Sequence, residues 1–311
     1  MGRRSSEGPE SSSNPRRTGR LPVTRNMRAK TWRVVTIVRA RLIYGALALG
    51  LSAAWPLWVA WRSTRGSTIR HALAWAWFAW AAWLWYGYAG GPIPAYAALT
   101  LTACAGIAVF GARRPGVVAW HFVVLGLLAV LWLPWVEGLV TGHALNLGTL
   151  RLVFLATIFL ASCLNHLPTR FGLPLFMVAT SCFLTFRPLW YSETNQAWVV
   201  QRESERWLMW LCVSIGCWLG FLFQAMPPEI DRRFASGSAT DQLWARFRDR
   251  FGAVWALRLR EQFNAAAQNA GWPVRLGWFG LVPKTVQPAP EWHATLVALQ
   301  KRFGFEEPRT Q

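Results

Sequence analysis

The sequence predicts an all-α protein, a polytopic transmembrane helix bundle of about seven spans followed by a small α-rich C-terminal soluble domain. Hydrophobic residues make up 53% of the 311 residues and charged residues only 15%. They are collected in uncharged blocks of about 18 residues, the length that crosses a hydrocarbon core of roughly 30 Å. The blocks are apolar on all sides rather than at alternate residues, which favours helices over the strands of a membrane barrel.

The chain begins with a basic tail, residues 1–33, that is rich in Ser, Gly, Pro and Arg. It has too few large apolar side chains to offset the entropy lost on folding, so we expect it to be disordered. Its arginines are expected to contact the anionic headgroups of the lipid bilayer. Basic tails beside membrane segments need no nucleic acid to explain them, and we expect no nucleic-acid partner.

The transmembrane domain is expected at residues 34–226. Its candidate spans are residues 42–61, 71–89, 95–112, 117–136, 152–167, 171–186 and 207–226. The first of these is ambiguous, because arginines both precede and follow it and Gly50 and Pro56 interrupt it. Either it crosses with the N-terminus outside, or it forms a re-entrant or interfacial helix.

Tryptophan is concentrated in the second span, where five of the residues from 75 to 85 are Trp and most of the others are Ala. At about 100° per residue these tryptophans do not share one face of a helix. Trp83, Trp85, Tyr86 and Tyr88 approach the end of the span, where we expect their polar tips to reach the headgroups. The alanines let neighbouring helices pack closely.

Arginine placement predicts which ends of the spans face the cytoplasm. Arginines follow the first, third and fifth spans and open the C-terminal tail: Arg62, Arg65, Arg70, Arg113, Arg114, Arg170, Arg232 and Arg233. Residues 90–94, between the second and third spans, carry no charge. The positive-inside rule therefore puts the arginine-bearing connections and the C-terminus on the cytoplasmic side, and we expect a bacterial inner membrane.

Residues 227–311 form the predicted cytoplasmic domain. A long amphipathic helix is expected from Thr240, an N-cap residue, to Gly271, with Trp244, Phe247 and Phe251 on its apolar face. This face either packs on residues 272–282 and a last helix near 291–303, or binds a membrane or a protein partner. The candidate contacts to a membrane surface or partner are Arg113, Arg114, Arg246, Arg250, Trp244, Phe247 and Phe251.

Three histidines are the candidate metal ligands. His71, His121 and His166 all fall in the cytoplasmic half of the predicted bundle. Imidazole nitrogens at one depth suit a transition metal or, in pairs, a haem iron. The five cysteines lie within spans and form no CxxC motif, so we expect them to act as small apolar residues.

These features favour a non-enzymatic accessory or scaffold protein whose basic cytoplasmic domain docks a partner or the membrane surface. No catalytic signature such as HExxH or GxSxG occurs in the sequence, and no cofactor is assigned. Two alternatives remain open: a haem- or metal-binding redox protein that uses the three histidines, and a membrane carrier for a hydrophobic or anionic solute.

Overall fold

Helices dominate the part of the chain that the structure describes. The computed structural model describes residues 44–45, 48–113, 117–142, 147–191, 203–226, 238–283 and 289–305, so the predicted tail at 1–33 lies outside them. The helices are α1 (Ala54–Ser63), α2 (Arg70–Ala89), α3 (Pro92–Ala108), α4 (Val117–Thr141), α5 (Gly148–His166), α6 (Gly172–Tyr191), α7 (Glu203–Ala225), α8 (Ala239–Asn269) and α9 (Pro290–Lys301). The strands β1 (Arg275–Gly277) and β2 (Gly280–Val282) form an antiparallel hairpin.

Four helical segments among the described residues are long and apolar enough to cross a membrane. They are Pro92–Gly111, Ala119–Thr141, Gly148–His166 and Trp207–Ala225, which correspond to α3, α4, α5 and α7. The predicted count of seven is therefore not confirmed. The apolar part of α6, Gly172–Arg187, is shorter, and the indole and phenol groups of α2 make that helix less apolar than its length suggests.

The ambiguous first span contains a break. A helical segment over residues 48–52 ends in a turn at Ala53, and α1 then runs for 10 residues to Ser63. Ten helical residues extend only about 15 Å. The predicted interruption near Gly50 and Pro56 is thus close to the observed one, and α1 packs against α2 and α7.

The α3 helix is the most enclosed of the four candidate spans. It packs against α2, α4, α5 and α6, and 67% of its apolar window is buried, compared with 17% for α4. Ala95, Ala98 and Ala103 are fully buried. Their small side chains let α2 and α3 approach closely, which is how membrane helices gain contact without a hydrophobic force between them.

A tight turn joins α2 to α3, and the aromatic residues before it divide into two sets. Gly90 and Gly91 adopt φ values of 65° and 85°, a conformation that favours glycine. Trp85 and Tyr88 are exposed, as expected for residues at a membrane interface, whereas Trp83 and Tyr86 are buried. The expectation that all four reach the headgroups is wrong for these two, because they fill the contact between helices.

The C-terminal domain consists of α8, the hairpin and α9. Ser238 and Asp241 form a capping box at the start of α8, two residues before the predicted N-cap Thr240. The helix is not continuous, because Gly252 has non-helical backbone angles, φ 80° and ψ −176°, and kinks it. The predicted last helix is confirmed as α9, and the hairpin occupies the segment expected to cover α8. This domain and the membrane helices belong to one compact unit, Gly45–Gln311.

Candidate functional site

Two of the three candidate metal ligands meet at the surface of the bundle. The His121 Nε2 atom lies 2.7 Å from His71 Nδ1, and the rings are edge to face with centroids 4.6 Å apart. The contact joins the start of α2 to the first turns of α4. At this distance one nitrogen donates a hydrogen and the other accepts it, so the two rings are not both doubly protonated.

The third candidate ligand, His166, does not join this pair. It lies at the end of α5 and lines a separate cavity, and no group of three His, Cys, Asp or Glu side chains among the described residues is placed to hold a metal ion. Two ligand nitrogens on a tetrahedral zinc would be about 3.3 Å apart. The His71–His121 pair would have to open by about half an ångström to accept such an ion.

The aromatic residues predicted to contact a membrane or partner are buried instead. Trp244, Phe247 and Phe251 each have a relative exposure of 0%. Phe247 and Phe251 stack on each other and pack against Phe303 and Phe305 beyond α9. These three side chains thus form part of the core of the C-terminal domain, where α9 and the hairpin pack against α8.

The predicted contact residue Arg113 belongs to a small group of arginines on the surface. It lies two residues beyond the α3 span and lines a shallow depression with Arg258 of α8 and Arg302 at the end of α9. We call these three residues the arginine patch. Arg114, the other predicted contact residue in this connection, lies outside the described residues.

Arg246 and Arg250, also predicted contact residues, line a cavity of about 870 Å³ between α8 and the membrane helices. This volume falls within the ~300–1,000 Å³ of small-molecule sites. We call it the arginine cavity. Its apolar wall comes from α2, α6 and α7: Leu73, Pro174, Leu175, Val178, Gly216 and Cys217. Its polar wall is formed by Arg170, Arg246, Asp249 and Arg250, with His166 beside it.

Positive charge exceeds negative charge at the polar wall. Asp249 is the single carboxylate lining the cavity among the described residues, and it is shared: Arg170 Nε is 3.4 Å from its Oδ2 atom, and Arg248 donates two hydrogen bonds of 3.1 and 2.9 Å to its Oδ1 atom. No ion pair among the described residues includes Arg246 or Arg250. Burial, and secondarily the charge of Arg170, lower the pKa of the Arg250 guanidinium.

Buried and half-buried hydrogen bonds hold the C-terminal domain against the ends of the membrane helices. The Trp255 indole donates to the Val109 carbonyl after α3 at 3.1 Å. The backbone N–H of Thr68, before α2, donates to the Phe303 carbonyl at 3.2 Å. The Asn165 side chain, at the end of α5, accepts a 3.0 Å hydrogen bond from the Val254 amide just after the α8 kink. Hydrogen bonds therefore connect the ends of three helices, α2, α3 and α5, to the C-terminal domain.

Sequence reasoning missed the residues that shape this junction. No sequence pattern assigns a role to Asn165, and Arg170 serves only to predict which side of the membrane its connection faces. Asp249, a single acid within the run RFRDRF, is the signal that could have been used, since a lone carboxylate among arginines indicates shared ion pairs. Gly252 gave no distinct signal, because a glycine within a helical pattern is usually tolerated.

No family model, curated protein or solved structure matches this chain. The geometry of its own residues is therefore the basis for assigning a function.

Proposed function

We propose that this chain is a multi-pass integral membrane protein of non-enzymatic accessory or scaffold type, located in a bacterial inner membrane. Its C-terminal domain acts as a fixed cytoplasmic cap on the membrane helices. The basic surface of this cap, with the arginine patch at its edge, docks on the anionic headgroups of the cytoplasmic leaflet.

The observation that carries the proposal is the convergence of the arginine-bearing connections on the cap. Thr68, from the connection before α2, bonds to Phe303. Arg113, after α3, shares the arginine patch with Arg302. Arg170, between α5 and α6, pairs with Asp249. One side of the bundle thus gathers the positive charge, as the positive-inside rule requires of a cytoplasmic side.

This arrangement supports six crossings, by α2 through α7, with the turn at Gly91 and the connection at Gly142 outside. A seventh crossing by residues 42–61 depends on the location of the N-terminus.

This topology can be tested with reporter fusions that are active on only one side of the membrane. The fusions are placed at Pro22, Gly91, Gly142 and the C-terminus. We expect Gly91 and Gly142 outside and the C-terminus inside. A C-terminus outside would refute the cap, and the Pro22 fusion decides between six and seven crossings.

Docking of the arginine patch can be tested with the full chain in nanodiscs of neutral or anionic lipid. We expect the cap to unfold at a higher temperature in the anionic nanodiscs and this gain to shrink in high salt, since exposed charges are screened. The variant Arg258→Gln/Arg302→Gln should lose about 1–2 kcal/mol of the gain, at about 1 kcal/mol per basic residue near the surface.

The matched control for the patch removes two charges elsewhere in the cap, Arg260→Gln/Arg275→Gln. It should keep most of the anionic-lipid gain. Equal losses in the two variants would show that total charge, rather than the arginine patch, governs the contact, and no gain in wild type would refute docking.

A further inference from the structure

The arginine cavity joins two chemically different walls. Its apolar wall is made by helices α2, α6 and α7, and its charged wall by Arg170 and by Arg246, Asp249 and Arg250 of α8. Ser63, Ala225 and Met226 are exposed at its rim. An occupant that satisfies both walls must carry an apolar portion and a polar head.

The charged side chains that line the cavity determine which charge the head of the occupant must carry. Arg246 and Arg250 approach the cavity without an ion-pair partner among the described residues, and Asp249 is already shared by Arg170 and Arg248. Arg250 donates to the Ser63 carbonyl at 3.2 Å, and its Cζ atom lies 5.5 Å from the centre of the Phe305 ring; neither contact brings a negative charge to it. A guanidinium stays protonated in proteins, so two half-buried groups of this kind favour an anion beside them.

The geometry of the guanidinium group further restricts which chemical group the head of the occupant can carry. Arginine donates paired N–H groups in a planar fork that matches the oxygens of a phosphate. Basic pockets between membrane helices on the cytoplasmic side are suited to anionic lipid headgroups, whose acyl chains enter from the same leaflet.

We propose that the arginine cavity binds one anionic phospholipid of the cytoplasmic leaflet, with its phosphate between Arg246 and Arg250 and an acyl chain along Leu175 and Val178. Arg170 lies at the same wall, with its Nε atom 3.4 Å from Asp249 Oδ2, and adds positive charge there. This lipid site is distinct from the arginine patch, because it takes a single lipid molecule into a cavity between helices, whereas the patch touches the surface of a bilayer.

The first test measures binding of lysophosphatidic acid to the purified full chain in a neutral detergent, by native mass spectrometry and by the thermal shift. We expect one bound molecule and a rise in melting temperature. Lysophosphatidylcholine, whose head has no net charge, should give a much smaller rise, and inorganic phosphate at the same concentration should give none. Equal stabilisation by inorganic phosphate would overturn the proposal in favour of a site for a free anion.

Charge removal tests the polar wall. In Arg246→Gln/Arg250→Gln the affinity for lysophosphatidic acid should fall at least about tenfold, since two charged hydrogen-bonding groups are lost. The control Arg275→Gln removes an exposed charge from the hairpin of the same domain and should bind as wild type does. Each shift in melting temperature is measured between the lipid-free and lipid-bound states of the same variant. A change in the stability of the lipid-free variant therefore does not affect the comparison between variants. Unchanged affinity in the double variant would refute the site.

A larger side chain at the apolar wall, which fills part of the cavity, provides a second and independent test of lipid binding. Leu175→Trp places a larger ring in the cavity without altering charge and should weaken binding of the lysolipid. Leu173→Trp, on the exposed side of the same helix, is the control and should leave binding unchanged. Binding that tolerates Leu175→Trp would show that the acyl chain lies elsewhere. Salt-dependent docking of the arginine patch should survive in both variants, so failure of this proposal and failure of the cap proposal give different results.

Discussion

Tryptophan residues join neighbouring elements through their ring nitrogens in this protein. Among the described residues, indole N–H groups donate across helix contacts at Trp80, Trp83, Trp120, Trp132, Trp210, Trp218 and Trp255. A large apolar ring with one donor can fill a gap and bond a carbonyl or hydroxyl of the next helix. In lipid such a bond has no competing water, although its net value is modest, about 0.6 kcal/mol on average.

Trp210 offers a test of this role. Its indole donates to the Trp83 carbonyl at 2.8 Å, and its ring lies against Gly50 and Gly87. We expect Trp210→Phe to lower the free energy of unfolding by about 1–3 kcal/mol, because a hydrogen bond and ring volume are both lost. Unfolding in mixed detergent micelles measures the change. Trp85→Phe, at an exposed position, should change it by less than about 0.5 kcal/mol, and equal effects would contradict the role.

The histidine pair makes a separate prediction about metal binding. Since His166 lies apart from His71 and His121, any copper(II) bound by the bundle should be lost in His121→Ala and retained in His166→Ala. Titration with copper(II), followed by its visible and electron paramagnetic resonance spectra, tests this. Equal dependence on His166 would restore the three-histidine site, whereas absence of binding in wild type would refute the metal hypothesis.

At the scale of elements, the α8 kink is set by its contact with α5. A Cβ atom at Gly252 would collide with the Asn165 side chain, and the φ of 80° is unfavourable for other residues. The amphipathic pattern predicted the helix but not the kink. A pattern of apolar residues indicates which face of a helix is buried, but it does not indicate where the end of another helix contacts that face.

Alanine substitutions can separate the two constraints on Gly252, which are its positive φ and its contact with Asn165. Gly252→Ala should lower stability by about 3 kcal/mol, combining backbone strain with the collision. Gly271→Ala is the matched control, because Gly271 also has positive φ, 68°, but open space around its Cβ position; it should cost only about 1 kcal/mol. Protease resistance and thermal unfolding of the cap are the measurements. Equal costs would mean that contact with Asn165 does not define the kink.

For the whole molecule, attachment of the cap to the membrane helices depends on the Asp249 ion pairs. Asp249→Asn leaves Arg170 and Arg248 without their shared carboxylate, and Arg248 is almost fully buried. Breaking a buried pair from one side is strongly destabilising, and we expect a loss of about 3 kcal/mol with faster proteolysis at the junction. Glu261→Gln, an exposed acid on the same helix, should have little effect. An intact junction in Asp249→Asn would show that the hydrogen bonds from Trp255 and Thr68 suffice.

The sequence by itself determined the helical class and the positions of the four apolar segments that are long enough to cross a membrane. These follow from the length and apolar character of each segment, which are local properties. It also predicted a packed C-terminal domain as one of its alternatives, since the spacing of Trp244, Phe247 and Phe251 requires a face to be buried.

Only the tertiary structure decided which chemical groups meet. His71 and His121 are 50 residues apart in the chain, yet their rings touch, whereas His166 faces the arginine cavity. Arg246 and Arg250, predicted as contacts to a membrane or partner, are half-buried and line a cavity together with residues of α2, α6 and α7. Helix periodicity fixes the direction of a side chain relative to its own axis, but the packing of that helix against others decides whether the side chain meets solvent, lipid or another charge.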